Sequence, residues 1–317
     1  MHNRLLFLLL CHSNNLIKGS KKMLNIGFIG LGLMGQGMAT NLIKHNFPLT
    51  IMAHRNRAPI EALCQLGANE VGTPAEVASR SDLVFVCVST SEQMETITLG
   101  SEGLLAGANP GLIIVDCSTS LPQSTQRLSA SIEAAGCHLL DAPLARTPKE
   151  AREGRLNVMV GGSKKVVDQA WPAIESFAEN IFHIGELGSA HKLKLINNYL
   201  SLGAATLAAE AAAMAANMEV DQQKLFEVCS QGGANSAMFN AVMPWVLEAD
   251  ETRLRFSLGN AGKDMGYLSE TITASGFESM MLPALREVLK QAENTLGNDQ
   301  YVPRLYDASM LRNKQDL

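Results

Sequence analysis

The sequence predicts an α/β fold, in which a doubly wound parallel sheet is followed by an all-α C-terminal domain. In the first half of the chain, short apolar runs alternate with helical patterns, and apolar runs without polar alternation are typical of strands buried on both faces. Strands that alternate with helices indicate βαβ units and therefore a parallel sheet. From about Ser189 the pattern is helical almost throughout, which predicts the second, all-α domain.

Apolar runs mark the predicted strands, and helical patterns lie between them. The strands are Leu24–Gly30, Leu49–Ala53, Leu83–Val88, Gly111–Asp116, His138–Asp141 and Asn157–Gly161. The helices are Met34–Lys44, Pro59–Leu66, Pro74–Ala78, Glu92–Leu99 and Pro122–Ala135. In the second half, the proline-free stretch Leu193–Asn217 is rich in alanine and leucine, and at ~1.5 Å per residue it would exceed ~30 Å as a helix. We expect so long an apolar helix to be buried in a domain or subunit interface.

The domain boundary is expected near residues 185–190, which gives an α/β domain at 23–188 and an all-α domain at 189–317. Residues 1–22 differ from the rest. The apolar run Leu5–Leu10 is short and is followed by a polar, basic stretch, unlike a secretory signal peptide, and a membrane-spanning helix would need about 20 apolar residues. We therefore expect residues 1–22 to be a poorly ordered or untranslated leader, and the protein to be cytoplasmic with no membrane partner.

Charge and cysteine usage exclude several classes of protein. The formal net charge is -5, with 26 Lys and Arg against 31 Asp and Glu, and the scattered basic residues create no positive field for nucleic acid. The 6 cysteines form no CxxC pair, and no histidine stands at zinc-finger spacing. We therefore expect free thiols in a reducing compartment and no bound metal.

A glycine-rich turn follows the first predicted strand, and its residues are Gly30, Leu31, Gly32, Leu33, Met34 and Gly35. This G-x-G-x-x-G pattern directly follows a buried strand and opens a helix, which is the context of a Rossmann-type dinucleotide site. Gly30 permits the tight turn, Gly32 lets a pyrophosphate approach the backbone, and Gly35 lets the helix pack on the strand. The start of the helix, at Leu33 and Met34, supplies free N–H groups. The turn predicts a nicotinamide dinucleotide cofactor.

The preference between cofactors depends on the end of the second strand. A site for NAD usually carries Asp or Glu there, about 20 residues after the turn, whereas this strand ends in Ala53 and is followed by His54, Arg55 and Arg57. Arg55, aided by Arg57 or His54, could neutralise a 2′-phosphate, although it could also be a solvated surface arginine. We expect NADP(H) to be favoured, with NAD(H) as the alternative.

Motifs further along the chain occur in the same order as in one enzyme family. They are Asp116-Cys117-Ser118-Thr119, Asp141-Ala142-Pro143 with Gly161-Gly162, Lys194 with Asn197-Asn198, and Phe256 with Lys263-Asp264. Together with the glycine-rich turn, they show that residues 24–300 resemble the β-hydroxyacid dehydrogenase family, which includes 3-hydroxyisobutyrate dehydrogenase and tartronate semialdehyde reductase. The resemblance implies a Rossmann-type domain, an all-α domain, and a homodimer or homotetramer.

The resemblance also implies roles for individual residues. Lys194 would be catalytic, Asn198 would orient the substrate, and Ser118 would line the substrate. The residues implied to contact the cofactor outside the glycine-rich turn are Val88, Thr119 and Lys263.

The chemistry of the reaction supports Lys194 independently of the resemblance. Hydride transfer to an aldehyde carbon builds negative charge on the aldehyde oxygen, which an ammonium group can stabilise and protonate. Leu195 and Ile196 place Lys194 in an apolar segment, where burial would lower its pKa from ~10.4. Lys192 is the nearby alternative, but its spacing to Asn198 fits the motif less well.

The loop after Pro143 departs from the family pattern. Many members read V-S-G-G there, whereas this chain carries Arg146, whose guanidinium suits a carboxylate, phosphate or sulfonate. Asn197 and Ser201 stand one helical turn apart on the same face. These features resemble the sulfolactaldehyde reductase branch of the family, in which these positions hold the sulfonate, although that branch typically carries Asp where this chain has Ala53 and uses NADH. The resemblance predicts the NAD(P)H-dependent reduction of 3-sulfolactaldehyde to 2,3-dihydroxypropane-1-sulfonate, with Arg146, Asn197 and Ser201 as an anion clamp.

Other interpretations stay open at this point. Arg146 could clamp the carboxylate of tartronate or succinate semialdehyde or of 3-hydroxyisobutyrate, or it could be a surface arginine. A non-catalytic dinucleotide-binding module is the alternative from another class, and the intact Lys194, Asn198 and Ser118 argue against it. His191 is interpreted as an ordinary histidine at a helix start.

Overall fold

The computed structural model describes residues 23–52 and 56–315. The leader expected at residues 1–22 and the cofactor residue Arg55 lie outside the described residues, so both stay predictions.

A mostly parallel sheet organises the first half of the chain, as predicted. Its strands are β1 (Ile26–Ile29), β2 (Leu49–Met52), β3 (Asn69–Val71), β4 (Leu83–Val86), β5 (Ile113–Asp116), β6 (His138–Asp141), β7 (Leu144–Ala145), β8 (Leu156–Gly161) and β9 (Ala178–Gly185). The first six lie side by side in the order β3-β2-β1-β4-β5-β6, and every neighbouring pair among them is parallel. The chain reverses its direction across the sheet between β1 and β4, and ligands bind open α/β sheets at the carboxyl ends of the strands at such a point.

The far edge of the sheet differs from the predicted pattern. β8 runs antiparallel to β6 through the pair Asp141–Gly161 and antiparallel to β7, and β9 runs parallel to β8. The strands β3, β7 and β9 were absent from the sequence prediction because they carry little apolar signal. β7 has only 2 residues, and most residues of β3 and β9 are exposed or half-buried.

Helices cover both faces of the sheet and build the second half of the chain. In the first half they are α1 (Gly35–Lys44), α2 (Ala58–Gln65), α3 (Pro74–Ser79), α4 (Ser91–Leu99), α5 (Leu104–Gly107), α6 (Pro122–Ala134), α7 (Pro148–Glu153) and α8 (Lys164–Ile174). In the second half they are α9 (Ser189–Asn217), α10 (Gln222–Cys229), α11 (Ala237–Glu248), α12 (Leu258–Ala274), α13 (Leu282–Leu296) and α14 (Leu305–Gln315), with a 3₁₀ turn at Val302–Arg304. The sequence pattern missed α5 and α7, which are short, and α8, which contains Pro172.

The strands are buried on both faces, as their continuous apolar sequences predicted. In β1, Ile26 and Phe28 pack into the core on one side of the sheet, whereas Ile29 packs into the core on the other. Phe85 of β4 lies between Phe28 and Phe177, with ring centroids 6.0 and 5.3 Å away. Burying each such ring contributes on the order of 1.5–3 kcal/mol, which holds the central strands and the loops at their carboxyl ends in place.

Helix α9 is the centre of the all-α half. It begins at Ser189 rather than at Leu193, and its 29 residues present a buried face to α11, α12 and α14 that includes Leu195, Leu202 and Ala209. Its length and apolar composition also suit a membrane span, but here the helix forms the core of a helical domain. The structure therefore confirms the predicted fold class, a Rossmann-type sheet followed by helices.

Candidate active site

The glycine-rich turn between β1 and α1 has the geometry of a dinucleotide site. Gly30 has a φ of 96°, and a Cβ atom there would lie 2.1 Å from the carbonyl oxygen of Cys87. At Gly35, a Cβ atom would lie 2.0 Å from the carbonyl oxygen of Gly30. Around Gly32, by contrast, no heavy atom in the described part of the chain comes within 4 Å of the Cβ position. Two of the glycines are needed for the turn itself, and the middle one leaves the backbone open to a ligand.

The start of α1 is available to an anion. Met34 is the N-cap residue of α1 and makes no side-chain capping hydrogen bond within the described ranges, and no acidic residue stands in the first turn of the helix. Helix α3, by comparison, begins with a capping box in which Thr73 and Glu76 satisfy the backbone amides. Leu33 is exposed beside this opening. The first amides of α1 and its positive dipole end therefore fit the pyrophosphate of a dinucleotide.

The predicted residues after β4 and β5 lie side by side. Val88 donates its N–H to Ser118 Oγ at 3.0 Å, which joins the loops that follow the two strands. The Ser118 N–H donates to Asp116 Oδ1 at 2.9 Å, and Ser120 Oγ donates to Asp116 Oδ2 at 2.7 Å. The buried carboxylate of Asp116 thus holds the Ser118 loop in one conformation at the carboxyl end of β5.

A second carboxylate, at the end of β6, anchors the helix that carries the candidate catalytic lysine. Asp141 accepts the N–H of Gly188 on Oδ1 and the N–H of His191 on Oδ2, both at 2.8 Å. These amides belong to the N-terminal end of α9, where a negative charge is favourable. Asp141 therefore fixes the start of α9 against the sheet.

The residues of α9 predicted for the site share one strip of the helix surface. Asn197 and Asn198 follow Lys194 by three and four positions, and Ser201 follows them by four and three, the spacing of neighbours on one helical face. Asn198 is buried, whereas Lys194, Asn197 and Ser201 are half-buried.

A buried aspartate joins this strip to α12. Asn198 Nδ2 donates to Asp264 Oδ2 at 2.6 Å, and Lys263 Nζ lies 3.0 Å from Asp264 Oδ1. Lys263 also donates to the carbonyl oxygens of Ser89, at 2.7 Å, and Thr119, at 3.0 Å. Lys263 thereby ties the all-α half to the loops after β4 and β5, at the predicted cofactor residue Thr119.

Lys194 has the perturbed acidity that the sequence analysis anticipated. Burial lowers the pKa of Lys194 to about 8, the negative charge of Asp264 opposes this change, and the positive charge of Lys263 adds to it. A lysine with this pKa exchanges its proton near neutral pH, which suits a group that both donates and accepts protons.

Arg146 lies in a strained loop and already has partners. Its φ of 82° is in the left-handed region, which is unfavourable for a residue with a side chain. Its guanidinium donates to the carbonyl oxygen of Arg155 at 2.6 Å and forms an ion pair with Glu179, to which Arg155 is also paired. An incoming anion at Arg146 would compete with the carboxylate of Glu179.

Arg57, the possible helper of Arg55, is engaged elsewhere. Its guanidinium forms a bidentate ion pair with Glu70 of β3, including an Nη2–Oε2 contact of 2.9 Å. Arg57 is therefore a poorer candidate for a cofactor phosphate than the sequence suggested.

Several residues that hold the site together had no predicted role. Asp141 and Asp264 stood in the motifs without one, although a carboxylate at the end of a buried strand, as at Asp141, is itself a signal. Tyr267 accepts the N–H of Ser91 at 3.1 Å, a contact between distant segments that no local pattern reveals. His191 stands in the first turn of α9, as interpreted from the sequence, and its side chain is completely buried there.

Two family models match consecutive parts of the chain. The model described as the NAD binding domain of 6-phosphogluconate dehydrogenase matches residues 25–185. The model described as NAD-binding of NADP-dependent 3-hydroxyisobutyrate dehydrogenase matches residues 188–307.

Individual relatives match over most of their length. An NAD-dependent L-serine dehydrogenase of Pseudomonas aeruginosa is 31% identical over 279 residues, which cover 85% of this chain and 93% of the relative. A 3-sulfolactaldehyde reductase of Escherichia coli is 28% identical over 270 residues, which cover 85% of this chain and 90% of the relative. Among solved structures, 3-hydroxyisobutyrate dehydrogenase from Salmonella typhimurium superposes with a TM-score of 0.81 at 24% identity, covering 89% of this chain and 99% of that one, which supports the fold.

Proposed function

Because the chain belongs to the 3-hydroxyisobutyrate dehydrogenase-related family of β-hydroxyacid dehydrogenases and is an NAD(P)-dependent oxidoreductase of that family, we propose that it reduces a small anionic aldehyde to the corresponding hydroxy acid. The favoured substrate is 3-sulfolactaldehyde, reduced to 2,3-dihydroxypropane-1-sulfonate. The observation that carries the reaction type is the half-buried Lys194, with a pKa of about 8, beside the buried Asn198–Asp264 pair.

The glycine-rich turn and the start of α1 would hold the cofactor. The pyrophosphate would lie over Gly32 and against the first amides of α1, and Val88 and Thr119 border the adjacent strand ends. Bound there, a nicotinamide supplies the hydride for reduction or accepts it for oxidation. NADP(H) is favoured because the residue after β2 that would meet the adenine ribose is not a carboxylate.

Lys194 would act on the oxygen of the substrate. In reduction, its ammonium stabilises the negative charge that develops on the aldehyde oxygen and then donates the proton. In oxidation, the neutral amine accepts the proton of the hydroxyl group. Asn198 is held by Asp264 at 2.6 Å, so its remaining polar atoms are oriented before the substrate arrives.

The charged end of the substrate would be recognised by Arg146, Asn197 and Ser201. A guanidinium together with the amide of Asn197 and the hydroxyl of Ser201 suits the three oxygens of a sulfonate, and a relative named 3-sulfolactaldehyde reductase supports this choice. The ion pair between Arg146 and Glu179 means that the substrate anion would compete with a carboxylate for the guanidinium.

Turnover with a panel of substrates tests this proposal. Purified protein is assayed with NADPH and NADH against sulfolactaldehyde, tartronate semialdehyde and succinate semialdehyde, and with NADP⁺ and NAD⁺ against L-serine and 3-hydroxyisobutyrate. The highest kcat/KM is expected for sulfolactaldehyde with NADPH. If a carboxylate substrate has the highest kcat/KM, the sulfonate proposal is wrong, but the proposed role of Lys194 is unaffected. If L-serine has the highest kcat/KM, the substrate is that of the relative from Pseudomonas aeruginosa.

A homodimer or homotetramer is part of the proposal. Large apolar side chains on α9 are exposed on a face distinct from the strip of Lys194, and they are Leu193, Ile196, Leu200, Leu207 and Met214. An apolar stripe of this length is typical of a protein–protein interface. Sedimentation analysis is expected to find no monomer at micromolar concentration.

A further inference from the structure

A buried histidine at the start of α9 has no role in the proposed reaction. The His191 side chain is completely buried, and its Nδ1 lies 2.8 Å from Thr125 Oγ1 of α6. Its other nitrogen, Nε2, is buried without a hydrogen-bond partner among the described residues. A buried polar atom left without a partner costs on the order of 1–3 kcal/mol, so its presence calls for a physical reason.

This nitrogen faces the carboxylate that fixes the Ser118 loop. His191 Nε2 lies 3.7 Å from Asp116 Oδ2, which is beyond a hydrogen bond. The same carboxylate accepts the Ser118 N–H and the Ser120 hydroxyl. His191 therefore faces, through Asp116, the loop that lines the proposed substrate position.

His191 is also connected to the proposed catalytic lysine. Its own N–H is held by Asp141 at 2.8 Å, and Lys194 follows three positions later on the same helical face. The imidazole thus lies where β5, α6 and α9 meet, between the loop of Ser118 and the helix of Lys194.

Electrostatics select one tautomer of the ring. With the hydrogen on Nδ1, the lone pair of Nε2 would face the negative charge of Asp116 in a buried, low-dielectric setting. With the hydrogen on Nε2, the N–H dipole points at the carboxylate, and Thr125 donates its hydroxyl hydrogen to Nδ1 at 2.8 Å rather than to the more distant Leu121 carbonyl oxygen at 3.4 Å. The second arrangement leaves no repulsive contact.

We propose that His191 is a positioning residue, which as the Nε2–H tautomer sets the Asp116–Ser118 loop relative to the helix of Lys194. A contraction of less than about 1 Å at the junction would bring Nε2 and Oδ2 to hydrogen-bond distance. In this proposal, the bond forms when cofactor and substrate bind between the two halves of the chain. The inference rests on the proposed function for the identity of the reacting groups. The tautomer of His191 follows from its contacts alone and is independent of that function.

A pair of variants separates the two contacts of the ring. His191→Gln places an amide nitrogen near the position of Nε2 and keeps a donor for Asp116, whereas His191→Asn reaches only toward Thr125. We expect His191→Asn to lower kcat about tenfold to a hundredfold, since small misplacements of reacting groups cost this much, with KM and the Kd of NADPH within about threefold. His191→Gln is expected to recover most of kcat, and His138→Asn, at the exposed opposite end of β6, serves as the matched control.

The tautomer is measured directly by ¹⁵N NMR of the full-length protein with labelled histidine. Spectra are recorded without and with NADPH. The signal of His191 is the one that disappears in the His191→Gln variant. Protonation on Nε2 in the free protein, and a downfield shift of its proton when a substrate analogue joins the cofactor, would support the proposal. Protonation on Nδ1, or equal losses of kcat in the Gln and Asn variants, would overturn it. Failure of sulfolactaldehyde as substrate would leave the NMR result intact, and the kcat ratios would then be taken with the aldehyde that is reduced.

Discussion

The Lys194 region and the Arg146 region carry charge in opposite ways. Around Lys194, the partners Asn198 and Asp264 are buried and joined at 2.6 Å across two helices, and burial itself changes the acidity of the lysine. Arg146, by contrast, lies in a left-handed loop and is paired with the exposed Glu179. Buried networks are rigid and intolerant of change, whereas exposed ion pairs contribute little and exchange partners readily. In the proposed function, the first region would set the reaction and the second would select the substrate.

The largest expected effect is that of Lys194→Ala. Loss of the proton donor should lower kcat about 10²- to 10⁴-fold, with the Kd of the cofactor nearly unchanged. Lys192→Ala, an exposed neighbour on the same helical turn, is the matched control and should behave like the wild type. Near-normal turnover of Lys194→Ala would remove this residue from the mechanism.

Substitution of Arg146 should change recognition rather than chemistry. Arg146→Ala is expected to raise KM for an anionic aldehyde about 10- to 100-fold, the equivalent of one charge-assisted hydrogen bond, with kcat less affected. Glu179→Gln should lower KM slightly, by less than about fivefold, because an exposed ion pair is weak. Arg152 is an exposed arginine in α7, and Arg152→Ala is the control. If Arg146→Ala lowers only kcat, the assignment of Arg146 to substrate recognition is wrong.

The pH dependence should report the buried region. Burial lowers the pKa of Lys194 to about 8. Because reduction needs the protonated lysine, kcat/KM for the aldehyde should fall as the pH rises through about 8. Oxidation needs the neutral amine, so its kcat/KM should rise over the same interval. Asp264 raises this pKa, so Asp264→Asn should move the inflection to lower pH. An inflection that Asp264→Asn moves upward would show that another group titrates.

The smallest effect is expected at Arg57. Its guanidinium is already paired with Glu70, so Arg57→Ala should leave the ratio of kcat/KM for NADPH and NADH unchanged, whereas Arg55→Ala should lower it. Equal kcat/KM values for NADPH and NADH in the wild-type protein would contradict the predicted preference for NADPH.

Local patterns were sufficient for the elements with strong signals. The continuous apolar runs of β1, β4 and β5 and the glycine spacing at Gly30–Gly35 identified the sheet and the cofactor turn, because both depend on residues that are close in sequence. β9 was missed because it is largely exposed, and α8 was missed because Pro172 interrupts its pattern. The strand-end positions of Val88 and Ser118 were foreseen, but the hydrogen bond between them was not.

The sequence alone determined the fold class and the turn for the cofactor, and it proposed Lys194 as the candidate catalytic residue, because each follows from spacing or from the chemistry of one residue type. Only the tertiary structure decided which charges are already paired. Glu179 of β9 contacts Arg146, and Glu70 of β3 contacts Arg57. Asp264 contacts Asn198 from a helix that is distant in sequence. The burial of His191 between Thr125 and Asp116 is of the same kind, since it depends on how three elements pack together. Electrostatic energies depend on distance and burial in space, and neither is written in the local sequence.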